Sequence, residues 1–597
     1  MNRALTLGVV GYLLLAILAL APLSGTLAGR QHPGIAHERG VAVPMRDGVT
    51  LRADVLRPEG TGRFPTLVYR TPYGRARTLD EDGIFRKAVA RGYAVVVQDV
   101  RGRYESEGEF MPYFQEGRDG FDTIEWAARQ PWSTGAVGTF GLSYPGAVQW
   151  LAAAESPPHL RAMAPAMTFS TPRNFIYSGG VFDGSWLAWT LLNIAPDVRV
   201  RKGLPGARTG EEARRQWRET QDRIQRTLPL SAAAAMHDVA PWYRTWLDHA
   251  PEDTWWNAID LRDKYRRTDA AVLNFSGWYD ETYGPEGATT NFRGLVAARG
   301  GQSDPRTRLV IGPWVHGVPD PRETSAGERD FGPDSAVDYD ELVLRWMDRH
   351  VAGRDNGVDR EPRVKVFVMG QNRWVEADAW PLPGTRQATW YLASPAGSGR
   401  PGALAPAPPT ADEASSSFTA DPANPVVDPY PANTGAHDYA ALAARDDVLV
   451  WESAPLDRDL AAMGHLTATI HLSCDAPDAD LWVKVLDVGP DGKAVNLMSP
   501  GLDVLRASYR AAGWRQLLEP GQVYTLTLPN LITGNAFLKG HRIRVQLSAS
   551  FFPHFSRNLQ TGLRETTESG SSRKARLTIH HSRSHPSSIT LPVLEAR

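Results

Sequence analysis

The sequence predicts an α/β core, a helical insertion within that core, and an all-β region at the C-terminal end. Three observations predict it. Apolar strand-like runs alternate with amphipathic helical runs over residues 41–170 and again over 270–360. Between them, residues 171–269 are mostly helical text rich in Trp, Arg and Gln, as in EEARRQWRETQDRIQRTL and PEDTWWNAIDL. From Val364 to the end, short strands recur between Gly, Pro and Asp turns, the pattern of a β-sandwich or jelly roll. A chain of 597 residues is too long for one core, and 42% hydrophobic with 22% charged residues is the composition of a folded globular protein.

Each element has its own signal. VAVPMRDGVTLRADVLRP reads as two strands around Asp47-Gly48, a hairpin turn between apolar alternations. FPTLVYR is a short buried strand, IFRKAVARG a helix ending at Gly92, and YAVVVQDVRG a nearly all-apolar strand. FDTIEWAARQ is helical and AVGTFG is the next strand. Strands alternating with helices imply a parallel sheet covered on both faces. Beyond the helical insertion, AAVLNFSGWYD and TRLVIGPW resume the strands, and ELVLRWMDRHVAG closes the core as an amphipathic helix. In the β region, VKVFVMG, ATWYLAS, HLTATIHLSC, DLWVKVLDVG, QVYTLTL, HRIRVQLSAS and ARLTIHH are strands. ASPAGSGRPGALAPAPPTADEASSS is biased to small residues and Pro and reads as a surface loop or linker.

Residues 1–28 stand apart. A charge at Arg3 precedes an apolar run from Leu5 to Leu23, the form of a signal peptide or an uncleaved N-terminal anchor. Ala19-Leu20-Ala21 has the small-x-small form, but Pro22 hinders cleavage there, so Thr26-Leu27-Ala28 is the better site. The expectation is an exported chain, periplasmic or extracellular, or one tethered to a membrane by this segment. The formal net charge of −2 offers no basic field for nucleic acid. Cys474 is the single cysteine, so an intrachain disulfide and a Cys-rich metal site are excluded.

The chemistry centres on TFGLSYPGAV. Ser143 follows a strand of the expected parallel sheet and precedes a helix, the place of a nucleophile on a strand-to-helix elbow. The stretch departs from strict G-x-S-x-G, because Pro145 stands at the second glycine position and Gly146 comes one later. A serine needs a base, and the base needs an orienting carboxylate. Asp280 ends AAVLNFSGWYD and His316 lies in LVIGPWVHG, each directly after a strand and in the chain order Ser, Asp, His. His249 and His350 fall in helical text, and His580, His581 and His585 in the late β region. The Tyr144 N–H is one oxyanion donor. The second belongs on the loop after an early strand, where LVYRTPYGR puts Tyr73; from the residues alone Tyr73 is equally a packing residue.

GLSYPG, RTPYGR, GWYD and GPWVHG, in that order, resemble the cocaine esterase/X-Pro dipeptidyl-peptidase (CocE/NonD) family of serine hydrolases. MRDGVTLRADVLRP, DVRGRYESEGEF, RWVEADAWPLPG, DPANPV and DADLWVKVLDVGPDG extend the resemblance from Val41 to the end. The resemblance implies an α/β-hydrolase core, a helical cap and a C-terminal jelly roll. It implies Ser143 as nucleophile, Asp280 as orienting acid, His316 as base, and an oxyanion hole of the Tyr73 hydroxyl and the Tyr144 N–H. No metal or organic cofactor is required. Trp278, Glu281 and Trp314 flank the acid and base and are candidates for substrate binding.

The α-amino acid ester hydrolases of this group carry an acidic cluster just after the triad acid. Here Glu281 follows Asp280, but Thr282 and Tyr283 come next, so the cluster is at best partial. The expected substrate is therefore an uncharged or weakly polar acyl ester or amide. X-Pro dipeptidyl-peptidase and α-amino acid ester hydrolase or acylase activity are the alternatives within the class. A carbohydrate- or surface-binding protein with an inactive hydrolase core is the alternative outside it. A homo-oligomer is compatible with the sequence.

Overall fold

A computed structural model describes residues 34–595 except 302–303, 398, 431–434, 512–513 and 529. The N-terminal apolar segment lies outside the described residues. Among the described residues no helix is long and apolar enough to cross a membrane.

Ten strands form the first sheet: β1 (Ile35–Pro44), β2 (Thr50–Pro58), β3 (Phe64–Thr71), β4 (Ala94–Asp99), β5 (Ser133–Leu142), β6 (Leu160–Ala166), β7 (Ala271–Tyr279), β8 (Thr307–Val315), β9 (Val364–Val368) and β10 (Arg373–Ala377). Their order is β1-β2-β4-β3-β5-β6-β7-β8-β9-β10. β1 and β2 are the antiparallel hairpin around Asp47-Gly48, and Gly48 takes φ 85° in its turn. From β4 to β9 every neighbouring pair is parallel. Every residue of β4 and β7 is buried, which is why both read as continuous apolar text rather than as an alternation.

The two faces separate by parity along the strands. Val96, with Val68 and Val137, packs under the helices Glu116–Ala128 and Tyr144–Ala153. Val95 and Val97, with Leu67 and Phe140, pack under Ile84–Ala90 and Tyr339–His350. The latter helix buries Val343, Leu344 and Met347, an i, i+1, i+4 stripe against the sheet.

After β6 the chain leaves the sheet and returns at β7. The intervening residues hold the helices Ser185–Trp189, Ala195–Lys202, Gly210–Gln225 and Pro241–Asp248. Gly210–Gln225 starts with a capping box: the Thr209 hydroxyl accepts the Glu212 N–H at 3.2 Å, and Glu212 reaches back to the Thr209 N–H. The tryptophans of this region pack on one another, Trp242 on Trp246 at 4.6 Å and Trp186 on Trp246 at 5.2 Å between ring centres.

Two sequence expectations need correction. Val364–Val368 and Arg373–Ala377 belong to the first sheet, not to the C-terminal region: β9 runs parallel to β8, and β10 pairs back on β9. The second large sheet begins with Thr385–Leu392. A short apolar run fits the edge of a parallel sheet as well as a sandwich strand, so its text does not say which sheet it joins. The Pro-rich stretch is also not wholly loop. It contains the strand Gly402–Ala405 and runs into Ser415–Ala420. Gly402–Ala405 pairs with Thr385–Leu392 on one side and Leu449–Glu452 on the other, so it joins the two sheets that enclose the C-terminal core.

This β domain is fastened to the helical insertion. The Arg506 N–H donates to the Gly179 carbonyl at 2.7 Å, the Gly184 N–H to the His554 carbonyl at 2.7 Å, and the Tyr509 hydroxyl to Glu252 at 2.9 Å. Behind the first contact the Arg506 guanidinium grips Asp480 at 2.7 Å and Glu565 at 2.8 Å, all three buried. Burial opposes the Arg506 charge, but the two carboxylates outweigh it and hold its pKa well above the ordinary value. Removing the cation leaves two buried carboxylates held only by neutral donors, Asn558 on Asp480 and Ser556 on Glu565. Arg506→Met is therefore expected to destabilise the C-terminal domain by about 3–5 kcal/mol. Denaturant unfolding followed by tryptophan fluorescence measures this, and a loss below about 1 kcal/mol would contradict the account.

Candidate active site

Ser143 is the residue between the end of β5 and the helix Tyr144–Ala153, with φ 68° and ψ −127°. An L-residue at positive φ is strained, and the surroundings must hold it there. Gly141 and Gly146 make the space. A Cβ on Gly141 would lie 2.5 Å from Pro145 Cβ, and one on Gly146 would lie 2.5 Å from the Ala166 carbonyl oxygen. The close approach that the motif needs has thus moved one residue along, which lets Pro145 occupy the usual glycine position. The Ser143 N–H donates to the Ala166 carbonyl at 3.0 Å, tying the turn to the end of β6.

Asp280 directly follows β7 and His316 directly follows β8. The two strands are paired in parallel with an irregularity between Gly312 and Val315. Only glycine fits at Gly277 beside it, because a Cβ there would be 2.1 Å from the Trp314 carbonyl oxygen. The strand ends bring His316 Nδ1 to 2.8 Å from Asp280 Oδ1. A carboxylate accepts only, so Nδ1–H donates and Nε2 carries the free lone pair. Asp280 is fully buried, and its Oδ1 also accepts the N–H groups of Thr282 at 3.1 Å and Tyr283 at 3.3 Å. Burial disfavours the imidazolium, but the charge and hydrogen bond of Asp280 outweigh it and hold the His316 pKa above its ordinary value. Glu281 accepts the His316 backbone N–H at 2.9 Å, and burial lifts its own pKa to about 7.

Tyr73 lies on the turn after β3, and that turn is clamped from several sides. Thr71 Oγ1 accepts the Tyr73 N–H at 3.1 Å, and Arg103 donates to the Pro72 carbonyl at 2.9 Å. The Tyr104 hydroxyl donates to the Tyr73 carbonyl at 2.8 Å, with its ring where a Cβ on Gly74 would lie. Asp99 accepts the Arg75 N–H at 2.7 Å, while the Arg75 guanidinium pairs with Asp54, Asp99 and Glu105. Trp189 Nε1–H donates to the Tyr73 hydroxyl oxygen at 3.1 Å, leaving the phenolic proton for another acceptor. Burial pushes the Tyr73 pKa up, so its hydroxyl is a neutral donor.

Tyr144 presents its backbone, not its side chain, to this edge. It is the first residue of its helix, where an N–H has no intrahelical acceptor. Its side chain is fully buried and turned away: the hydroxyl donates to Glu116 at 2.7 Å and accepts the Tyr113 N–H at 3.1 Å. Arg70 pairs with that Glu116 at 2.8 Å.

The structure thus brings Ser143, Tyr73, the Tyr144 N–H, Asp280 and His316 to one edge of the sheet. It does not bring Trp278 there. Trp278 is fully buried, its Nε1–H donates to the Phe367 carbonyl at 2.7 Å, and a Cβ on Gly534 would lie 2.4 Å from its ring. It is core, because a residue of a strand covered on both faces points inward whichever way it faces. Trp314 stacks on Phe275 at 4.8 Å and donates to the Ser335 carbonyl. It still lines a cavity of about 240 Å³ that reaches His316, with Val318, Pro319 and Glu323. Glu281 is engaged with the His316 backbone rather than standing free as a cation site.

Sequence reasoning missed Trp189, Tyr113 and Tyr283. The Tyr283 ring centre lies 5.7 Å from that of His316, and its hydroxyl pairs with that of Tyr113 at 3.0 Å. No spacing in the sequence announces them, and of the three only Tyr113 is marked in the structure by positive φ. Tyr104, Tyr113, Ser143 and Met167 all have positive φ, and all border this site.

A serine held on a strained elbow above a parallel sheet, with a His–Asp pair on later strand ends, defines a serine hydrolase of the α/β-hydrolase class. The chain belongs to the X-Pro dipeptidyl-peptidase (S15) family: residues 47–318 match the family's catalytic region and residues 356–590 its C-terminal non-catalytic domain. It is 31% identical to the cocaine esterase of Rhodococcus sp. (strain MB1 Bresler), over 93% of this chain and 98% of that one. Its fold is similar to that of an α-amino acid ester hydrolase, with TM-score 0.79 and 24% identity over 96% of this chain and 100% of that one. It is also similar to that of an aminopeptidase from a marine sediment Thaumarchaeota archaeon, with TM-score 0.77 and 24% identity over 95% and 97%.

The two carboxylates beside His316 have a consequence for pH. A base must be neutral, so a raised His316 pKa places the acid limb of kcat/KM above about 6.5, the unperturbed imidazole value. The Glu281 carboxylate adds to that upward shift. Glu281→Gln keeps an acceptor for the His316 N–H but removes the charge, so the acid limb is expected to move to lower pH. Ester hydrolysis measured from pH 5 to 9 checks both; a wild-type midpoint below 6.5, or an unmoved midpoint in the variant, would contradict them.

Proposed function

We propose that this protein hydrolyses acyl esters or amides by two-step acyl transfer on Ser143. The single observation that carries the reading is the convergence of the Ser143 elbow with the Asp280–His316 pair. His316 Nε2 takes the Ser143 proton as the hydroxyl oxygen attacks the carbonyl carbon. The Tyr73 hydroxyl and the Tyr144 N–H donate to the oxyanion. As the tetrahedral intermediate collapses, His316 gives its proton to the leaving oxygen or nitrogen. A water then repeats the attack with His316 as base and releases the acid. Asp280 holds the imidazole by Nδ1 and stabilises its cation.

An uncharged or weakly polar acyl group is the substrate this site favours. The Glu281 carboxylate is engaged by His316, and Tyr283 follows where a further acid would complete an ammonium site. The 31% identity to a cocaine esterase supports an ester as the scissile group. We further propose that the β domain is a jelly roll, on the strength of its two sheets joined through Gly402–Ala405. Export, or tethering to a membrane, is likewise a proposal and rests on the apolar run Leu5 to Leu23.

Fluorophosphonate labelling of the purified protein beside Ser143→Ala tests the reading. The modified peptide is expected to contain Ser143 and to be absent from the variant. No label on well-folded wild type would sink the acyl-transfer reading. Tyr73→Phe is expected to lose roughly 10²–10³-fold in kcat, and Asp280→Asn on the order of 10⁴-fold. A threefold loss or less in either variant would remove that residue from its role. X-Pro p-nitroanilides cleaved as fast as simple esters would move the substrate class to peptides.

A further inference from the structure

The indole of Trp189 reaches out of the helical insertion and touches both residues of the proposed oxyanion hole. Its Nε1–H donates to the Tyr73 hydroxyl oxygen at 3.1 Å, and its ring lies within 8° of parallel to that of Tyr144, with ring centres 6.3 Å apart. The two contacted residues are neighbours because their strands are: β3 pairs in parallel with β5, Val68 opposite Thr139. Tyr73 lies two residues beyond the end of β3 and Tyr144 two beyond the end of β5, so both stand at the edge where Ser143 emerges.

Chemistry fixes the direction of this bond. An indole nitrogen donates and does not accept, so the phenolic oxygen is the acceptor. A phenol keeps its O–H near the ring plane, in one of two positions on opposite sides of the C–O bond. An N–H aimed at the oxygen disfavours the position that points back at it, so the Tyr73 proton takes the other. Accepting a hydrogen bond also polarises the hydroxyl and strengthens it as a donor. Without the indole the proton has two positions to choose between and a weaker dipole in each.

The contact is built into the fold. Trp189 ends the helix Ser185–Trp189, which runs straight into a single π-turn, Thr190–Ile194, a rare feature that recurs at functional sites. Arg103 spans the two segments. It donates to the Pro72 carbonyl at 2.9 Å on the Tyr73 turn, and to the Ile194 and Asn193 carbonyls at 3.0 and 3.1 Å on the π-turn. Tyr104 repeats the link: its hydroxyl donates to the Tyr73 carbonyl at 2.8 Å and its N–H to Asp197 at 3.0 Å. Trp186 and Trp242 brace the indole edge-on, at 5.1 and 6.1 Å between ring centres. The segment from Trp189 to Asp197 and the turn that carries Tyr73 are therefore held as one unit.

We propose that Trp189 is a positioning residue for the reaction: from the helical insertion it holds the Tyr73 hydroxyl with its proton turned to the oxyanion, and so raises kcat. This rests on the acyl-transfer reading above, in which Tyr73 is an oxyanion donor, and adds the part of the chain that sets that donor. A donor already oriented costs no reorganisation when the charge develops. Trp189 acts through Tyr73, so its loss appears in kcat, whereas the loss of a contact made equally to bound substrate and transition state appears in KM.

The test is a double-mutant cycle on p-nitrophenyl butyrate hydrolysis, with wild type, Trp189→Phe, Tyr73→Phe and the double variant. Trp189→Phe removes the N–H and keeps an aromatic ring. It is expected to lower kcat about three- to tenfold, the worth of one hydrogen bond, with KM unchanged within about twofold. In the Tyr73→Phe background the same substitution is expected to lose most of that effect, because the hydroxyl it acts through is gone. An effect as large without the Tyr73 hydroxyl as with it overturns the proposal, since Trp189 would then act on the substrate or on the fold. A loss confined to KM, or a kcat loss below about threefold, also overturns it. If Trp189→Phe fails to fold, as judged by circular dichroism, replacing Trp189 by benzothienylalanine, an isostere with sulfur in place of the N–H, carries the same expectations. Tyr73→Phe alone keeps the two claims apart. A loss of roughly 10²–10³-fold there, with kcat unchanged in Trp189→Phe, fails this proposal alone; a loss of about threefold or less there fails the oxyanion role of Tyr73 as well.

Discussion

Everything at the active edge depends on one unfavourable backbone conformation, Ser143 at positive φ. The turn lifts the hydroxyl out of the sheet and starts a helix at the next residue, so the Ser143 hydroxyl and the first N–H of a helix come from adjacent positions. Such a turn does not hold itself. It requires a strand, a helix and a second strand to meet within van der Waals contact, which only Gly141 and Gly146 allow. The strain is offset by the burial of the helix behind it: every residue from Tyr144 to Ala153 is buried. The rest of the site is built by bringing other strand ends to the point where that hydroxyl emerges.

Those strand ends are held by buried charge rather than by apolar packing alone. Arg75 and Arg103 tie the Tyr73 turn to Asp54, Asp99 and Asp197 and to the cap carbonyls of Asn193 and Ile194. Arg103 is fully buried, and its charge is opposed by burial and supported by Asp197. A buried ion pair adds little net stability compared with well-packed apolar residues, but removing one partner is costly. What the pairs supply here is geometry: a planar guanidinium accepts few arrangements of its partners. The motifs RTPYGR and DVRGRYESEGEF are two halves of this clamp, although 23 residues separate Arg75 from Asp99 and most of β4 lies between them.

The extent to which this was legible follows from how local each signal is. Ser143, Asp280 and His316 each stand at the end of an apolar strand, so strand recognition and chain order were enough to place them at one edge, and the geometry of the Asp280–His316 contact agrees. The hairpin at Asp47-Gly48 and the helix ending before Gly92 are equally local. Partner choice is not local. Val364–Val368 has the text of any short buried strand, and only the register with β8 shows which sheet it joins. Trp278 lies two residues before the acid in sequence but is buried in the core, because both faces of β7 are covered. Tyr283 and Trp189 reach the site from the acid turn and the helical insertion, and no spacing rule links them to Ser143. Tyr113 depends on a φ value that its sequence does not announce.

The place of the C-terminal domain in this arrangement follows from what it touches. The Asp280 turn lies between β7 and that domain. Its flank on the β7 side is Trp278, packed against Gly534, and Tyr279, whose hydroxyl donates to the Asn496 carbonyl at 3.0 Å. Its other flank is Gly284, where a Cβ would meet Leu502 at 2.9 Å. Asn496 is itself fixed by its amide, which donates to the carbonyls of Gly435 and Met498. Residues before and after the acid are thus each seated against the β domain, and β9 is bonded to it as well, through the Met369 N–H to the Gly534 carbonyl at 2.8 Å. An aspartate that must sit within hydrogen-bond distance of an imidazole on the next strand tolerates little movement. The β domain thus holds the turn from which Asp280 and Tyr283 both project, and with it the position of the carboxylate beside His316.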